Sequence, residues 1–446
     1  MAKKVESKQE STRDKLTELR DKINKSYDTP VMSFGDEQEI VKQKIGVLSI
    51  DVEAGGMPRG RWIILVGNES TCKSTILYKS GGAFQRRCGN CFQGMVKEIN
   101  FKPVKAVDPS KPDNVNCRYR KDAEGKKVVD EFGEPIVESL KYFANKDKKN
   151  VYCPGQKIIH KKPFTLYSYE LECSECSDPM YSIFLLIDSE KNYTRSWARK
   201  HNVVHYYVLI AGTTYSEQTG EIVRDGIGSG RVSFVGIDSV AAQGPMVELN
   251  SSFEDQQMGV QARTWNKIVR VLTSKLNSVN VYKWTNKEGK QIIQKKRSEP
   301  ALVVIQQWRE KIGGYGGKDM GAGRGLKFAS SLTYSFSRVS VDWESKEDKT
   351  VKGIWYGWEM LKGKVGKSMR VGRFYFDLEK EDIVDEQSIV EYAIKQGVVT
   401  VSGSWYEYKK TGQKFQGVQN FIAWLDKNPK IKDTIYKEIL HSADRT

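Results

Sequence analysis

The sequence contains no apolar run long enough to cross a membrane as a helix, which excludes a helical membrane span and a membrane partner of that kind. Its opening residues, MAKKVESKQE, lack the apolar core of a secretory leader, so a cytoplasmic location is the expectation. Cysteine is scarce, with seven in 446 residues; in a reducing compartment these read as free thiols or metal ligands, not as a disulfide frame. Acid is also in deficit: 56 Asp and Glu stand against 72 Lys and Arg, a formal net charge of +16. That balance favours an anionic partner, nucleic acid ahead of a membrane surface, and is silent on fold. The length is enough for two or three domains with a real core.

What is present centres on residues 67–75. The apolar run WIILV at 62–66 is followed by GNESTCKST, that is Gly67, Asn68, Glu69, Ser70, Thr71, Cys72, Lys73, Ser74 and Thr75, and then by a stretch able to continue as a helix. Strand, tight loop and helix start together form a phosphate cradle, in which backbone N–H groups and the positive helix end face a polyanion. Lys73 supplies a charge for terminal phosphates and Ser74 a hydroxyl for Mg²⁺. The pattern G-x-x-x-x-G-K-[ST] fails only at Cys72, where glycine is expected, so either a strained residue or a shifted loop is implied.

Further apolar runs at 183–187, 232–237 and 302–305 alternate with helical stretches, which indicates an α/β fold with a mostly parallel sheet covered on both faces. Trp265, Ile268, Val269, Leu272 and Leu276 trace one face of a covering helix. In such sheets the chemistry lies beyond the carboxyl ends of the strands. Asp188-Ser189-Glu190 follows the second run, Asp238-Ser239 the third, and Gln306-Gln307-Trp308-Arg309 the fourth. Asp238 suits a Mg²⁺ ligand and Glu190 a base for the attacking water. Near the N-terminus, Leu16, Leu19 and Ile23 fall at helical spacing behind a Ser11–Asp14 capping box, a stripe too narrow to bury against its own helix.

The order of motifs resembles that of RecA-type DNA strand-exchange recombinases, including bacteriophage forms. The resemblance rests on VMSFGDE, AGGMPRGRW, GNESTCKST, IDSE with WARKHNV, IDSVAAQGP, MGVQAR, IQQWREKIGG, GLKFASS, LKGKVG, GVVTVSGSWYEYKKTGQKFQG and FIAWLDKNP, in family order. It implies a RecA-like ATPase core with an N-terminal oligomerisation helix and a small α/β C-terminal domain. It also implies roles: Lys73 and Ser74 for ATP and Mg²⁺, Glu190 as catalytic base, Asp238 on the metal, and Gln307 as sensor of the γ-phosphate. Lys362 and Lys364 match a pair that reaches the neighbouring subunit's ATP, and Trp197 matches an aromatic against adenine. Thr194 stands where many relatives carry an aspartate, so base selectivity is open to change. DNA contacts are expected from two loops, 246–257 and 308–325, and from Met258, Arg263, Arg270, Arg309, Lys311, Tyr315 and Arg324. The second loop mixes glycine with Arg, Lys and aromatic residues, a composition suited to phosphates and bases.

Residues 88–178 interrupt the family pattern. The segment opens with Cys88 and Cys91 and closes with Cys173 and Cys176, two C-x-x-C pairs that make up the four thiolates of a structural Zn²⁺ site. Cys117, Cys153 and His160 lie inside it as spare donors. A second addition, 277–300, reads as a hairpin turning near Asn286–Gly289 and projecting from the face opposite the DNA loops. From 382 to 446 a small domain is expected to gather duplex DNA on a core of Trp405, Tyr406, Phe415, Phe421, Trp424 and Leu425. It ends on HSADRT without the acidic run that restrains DNA binding in many relatives. The expected boundaries are therefore 1–35, 36–381 and 382–446.

The reading is an ATP-dependent recombinase that forms a helical filament on single-stranded DNA and exchanges strands with duplex DNA, aided by single-strand-binding or loader proteins, in the host cytoplasm if phage-encoded. Two rivals remain at this point. One is a helicase or motor on the same core, separable by strand displacement. The other is a non-hydrolysing zinc-containing DNA-binding protein, separable by DNA-stimulated ATPase activity.

Overall fold

The fold is described from a computed structural model, covering residues 14–26, 40–107, 113–114, 141–144, 151–152, 157–158, 164–177, 180–252, 259–276, 278–297, 299–310, 318–321, 323–345, 347, 349–366 and 368–445. The chain forms two units. One comprises Met1–Phe84, Ile183–Val281 and Lys295–Thr446, the other Gln85–Ser182 and Tyr282–Gln294.

The first unit is built on a ten-stranded sheet in the order Val208–Ala211, Ile183–Asp188, Val232–Asp238, Ala301–Glu310, Trp62–Gly67, Leu332–Ser345, Thr350–Gly363, Val371–Asp377 and Asp382–Val384, with Lys318–Met320 paired to Ala301–Glu310. Pairings among the first six strands are parallel, and the last three are antiparallel. Because both faces are covered, the run WIILV is apolar throughout and its residues divide between two cores. Ile63 and Leu65 pack with Ile76, Leu77 and Phe184, while Trp62, Ile64 and Val66 pack with Trp265 and Leu272. Helix Val260–Leu276 buries the five residues its periodicity marks out, each contributing roughly 1.5–3 kcal/mol if fully buried. Helix Lys73–Gln85 lies close against the sheet at Gly81, where a Cβ would meet the Phe184 ring at 2.5 Å.

Residues 14–24 are helical, with Leu16 and Leu19 half exposed at 47% and 50%. From residue 386 onward the first unit carries a three-stranded sheet and helices Glu386–Lys395, Val418–Lys427 and Pro429–Arg445 around Phe421, Leu425, Ile435 and Ile439. Tyr406, Phe415 and Trp424 pack against this core, but Trp405 is 48% exposed. The two-residue alternation of strand Trp405–Tyr408 sends Tyr408 inward instead.

The second unit holds an antiparallel sheet in the order Val96–Val107, Phe164–Cys173, Lys141–Ala144 and Val151–Tyr152. Strands Val279–Thr285 and Gln291–Arg297 pair as the expected hairpin, and Gly289 N–H closes its turn on the Asn286 carbonyl. Residues 282–294 of that hairpin pack with the cysteine-bracketed segment. Tyr282 stacks on Phe92 with ring centres 5.5 Å apart, Ser177 N–H donates to the Thr285 carbonyl, and Lys287 pairs with Glu172 at 2.7 Å. The hairpin and the insertion, separate features in the sequence, are one structural body, because Tyr282 and Trp284 alternate inward and need a partner face.

Candidate active site and metal centre

The phosphate loop joins strand Trp62–Gly67 to helix Lys73–Gln85. Cys72 sits at φ +60°, the left-handed conformation a glycine would adopt at no cost. The loop has therefore kept its shape and tolerates a strained residue, at about 1–2 kcal/mol. Burial pushes the Cys72 thiol up to about 12, so it is neutral. Lys73 is held inside the loop, donating to the Asn68 carbonyl at 2.5 Å and to Thr71 Oγ1 at 3.3 Å. Burial lowers its pKa, opposed by Asp238, Glu190 and Glu69.

Three strand ends converge here. Ser74 Oγ donates to Asp238 Oδ2 at 2.7 Å. The Asp238 carboxyl is pushed up to about 6, first by burial and further by the Glu190 and Asp188 carboxylates, against the Ser74 hydrogen bond. This carboxyl beside a hydroxyl is a donor set suited to a hard divalent cation such as Mg²⁺. Glu190 is fixed at both oxygens: Oε1 accepts from Ser239 Oγ at 2.5 Å and Oε2 from Asn192 Nδ2 at 3.2 Å. Neither Ser239 nor Asn192 was marked out by the sequence as part of the site. Asp188 is turned away to accept the N–H groups of Asn192 and Tyr193, and so shapes the turn that presents Glu190. Gln307 pairs directly with Gly67 in the ladder, which places it at the root of the phosphate loop.

A cavity of about 370 Å³ is lined by residues 70–75 together with Trp197, Tyr356 and Phe376. Loop backbone and three aromatic side chains in one cavity suit a ligand that joins anionic groups to a flat ring. Tyr356 and Phe376 come from distant strands, and nothing in their local sequence marks them. Thr194 caps the helix carrying Trp197, accepting its N–H at 3.4 Å. Lys362 and Lys364 do not line this cavity. Both donate to the Phe328 carbonyl, at 3.1 and 2.7 Å, and Lys362 also to the Lys327 carbonyl, where helix Gly323–Ala329 ends. Burial and the Lys364 charge bring Lys362 down to about 8. Beside them the Phe328 ring is 71% exposed.

A family model described as RecA N-terminal domain matches residues 178–377, and one described as RecA C-terminal domain matches 387–444. The first takes in Glu190, Asp238, Gln307 and both lysines but not the phosphate loop. Protein RecA of Wolinella succinogenes is 30% identical over 263 residues, covering 58% of this chain and 68% of the relative. The chain belongs to the RecA family. Protein RecA of Nautilia profundicola is 30% identical over 266 residues (57% and 69%), and that of Nocardia farcinica 29% over 255 (57% and 67%).

In this RecA-family chain, Arg263 and Arg270 are exposed seven positions apart on helix Val260–Leu276, and Arg309 and Arg324 are exposed as well. Met258, Lys311 and Tyr315 lie outside the described residues, as do Ser11, Cys117, Cys153 and His160. The second loop is shorter than expected. Trp308, Arg309 and Glu310 pair with Met320, Asp319 and Lys318, and Gly323–Ala329 is helical. Gly325 serves packing, since a Cβ there would lie 2.1 Å from Asn266 Oδ1.

In the second unit, Cys88, Cys91, Cys173 and Cys176 are buried with their sulfurs all within 4.8 Å of one another. Cys88 and Cys176 approach to 3.6 Å, as do Cys91 and Cys173. Backbone N–H groups of Asn90, Gly94 and Glu175 point at three of the sulfurs. Hydrogen bonds from Cys173 and Cys91 hold the Cys88 thiol far below its usual range, whereas burial, and then the Cys88 charge, push Cys176 up to about 12. Four buried sulfurs cannot all ionise without a cation among them, and the set fits Zn²⁺.

Proposed function

We propose that the chain is an ATP-dependent recombinase, resembling bacteriophage members, that assembles as a filament on single-stranded DNA and exchanges strands with homologous duplex. The observation that carries this is Glu190, held at both oxygens beside the Ser74–Asp238 pair and Lys73. Lys73 and the loop N–H groups bind the terminal phosphates, and Glu190 takes the proton of the attacking water. Ser74 and Asp238 would hold Mg²⁺, which when bound supplies neutralising charge to those phosphates. Gln307, at the root of the loop, reports the γ-phosphate along its strand to the segment that follows. The left-handed Cys72 counts against the non-hydrolysing alternative, because the loop keeps the shape that cradles phosphate.

Lys362 and Lys364 reach the ATP of the next copy, leaving their resting bonds to the Phe328 carbonyl. Two surfaces support assembly of this kind. Residues 14–24 carry uncovered leucines, and Val208–Ala211 is an edge strand with Leu209 and Ile210 at 56% and 46% exposure. Residues 1–35 then serve oligomerisation and 382–446 gather duplex DNA, with single-strand-binding or loader proteins as helpers. The four cysteines hold a structural Zn²⁺.

Placing glutamate at both Leu209 and Ile210 is expected to abolish assembly on oligo-dT without altering the circular dichroism spectrum. Sedimentation with an ATP analogue reads this, and assembly equal to that of the unaltered chain would remove the edge strand from the interface.

A further inference from the structure

The first loop leaves the core after Gly244 and returns at helix Val260–Leu276, and its two feet are tied together. Gln261 Nε2, on the first turn of that helix, donates to the Gln243 carbonyl at 2.7 Å. On the entry side, Met246 N–H is anchored by Glu217 Oε2 at 2.9 Å, and Gly244 N–H by the Thr214 carbonyl at 3.0 Å. The Gln243 side chain points the other way, into the protein, and is 3% exposed. Its amide Nε2 has two protons, one given to Ser189 Oγ at 2.6 Å and the other to Thr219 Oγ1 at 2.9 Å. Ser189 directly precedes Glu190, and its N–H donates to the Asp238 carbonyl at 2.9 Å. A continuous hydrogen-bonded path thus runs from the base of the first loop to the residue before the catalytic carboxylate.

A buried amide must be paired somewhere, so a tie of this kind can serve stability alone. Its connections point further. Both feet of one loop meet at the Gln243 backbone, and the same residue's side chain fixes the turn that presents Glu190. Any movement of the returning helix relative to the entry segment pulls on the Gln243 main chain, and its side chain, held at both amide protons, passes this to Ser189. We propose that Gln243 is a positioning residue through which the state of the first loop sets the orientation of Glu190, with Gln261 as the outer link. This rests on the reading of the chain as a DNA-dependent ATPase.

The test uses the full chain and measures ATP turnover with and without oligo-dT, alongside the melting temperature. Gln261 is half-buried and among the described residues makes this one side-chain bond, so Gln261→Ala and Gln261→Glu, which lose the donor, should fold normally. Their turnover without DNA should stay within about twofold of the parent, while the stimulation by DNA falls roughly two- to thirtyfold. Gln261→Lys, which retains a donor, should recover part of the stimulation. Gln243→Leu, apolar and unable to donate, should lose stimulation to at least the same degree. Unchanged stimulation in the Gln261 variants would overturn the proposal. So would a parallel fall of both rates with the melting temperature in Gln243→Leu, the signature of a purely structural tie. If the unaltered chain hydrolyses no ATP or shows no response to DNA, the functional reading itself fails and takes this inference with it, a result distinct from a failure confined to the variants.

Discussion

Replacing Glu190 by glutamine is expected to lower ATP turnover by about 10²- to 10⁴-fold, the usual contribution of a positioned general base. The amide keeps the shape of the carboxylate and can still accept from Ser239 Oγ, whose partner now lies at 2.5 Å. It cannot take a proton from water. Nucleotide binding should therefore survive if, as proposed, the phosphate contacts come from Lys73 and the loop. Assembly on single-stranded DNA should survive too, and bound filaments should persist longer since hydrolysis no longer releases them. The comparison that isolates the chemistry is single-turnover hydrolysis against binding of a fluorescent nucleotide. Loss of binding together with turnover would assign Glu190 a structural role in the Asp188–Tyr193 turn.

The second large effect belongs to the cysteines. One zinc per chain should be found by elemental analysis, and its removal by a strong chelator should unfold the body made of the insertion and hairpin. In isolated finger peptides binding of structural Zn²⁺ is worth about 10–16 kcal/mol at neutral pH, so loss of two ligands is not recoverable by packing. Cys88→Ser with Cys176→Ser should abolish metal retention and open residues 85–182 and 282–294 to limited proteolysis. Cleavage at the hairpin is the informative part: Ser177 and Glu172, flanking Cys173 and Cys176, hold it through Thr285 and Lys287. Nucleotide binding should remain, as the phosphate loop belongs to the other unit. A metal-free preparation with an intact, protease-resistant insertion would contradict this account.

The sequence made the candidate site legible wherever a short pattern demands particular residue types. Gly67–Thr75, Glu190 and Asp238 each follow an apolar run, and the buried face of helix Val260–Leu276 follows from spacing alone. What stayed hidden depends on contacts between segments far apart in the chain. Tyr356 and Phe376 reach the cavity beside the loop only because strands Thr350–Gly363 and Val371–Asp377 lie antiparallel beyond the parallel half of the sheet. Ser239 and Asn192 look like ordinary turn residues until their hydrogen bonds to Glu190 are seen. The hairpin carries no local sign that its inward face fits the cysteine knuckles. Gly325 shows the opposite error, a glycine of the expected DNA-contacting loop that instead packs against Asn266. Trp405 is a similar case, counted as core on hydrophobicity although strand alternation turns it outward.

In the proposed assembly each nucleotide pocket is finished by the next copy of the chain. Imaging the protein on single-stranded DNA with Mg²⁺ and a non-hydrolysable ATP analogue tests it most directly. The expected image is a helical filament with Lys362 and Lys364 of one protomer against the phosphates held by Lys73 of its neighbour. Discrete monomers on the DNA, or a filament in which both lysines stay on the Phe328 carbonyl, would contradict it.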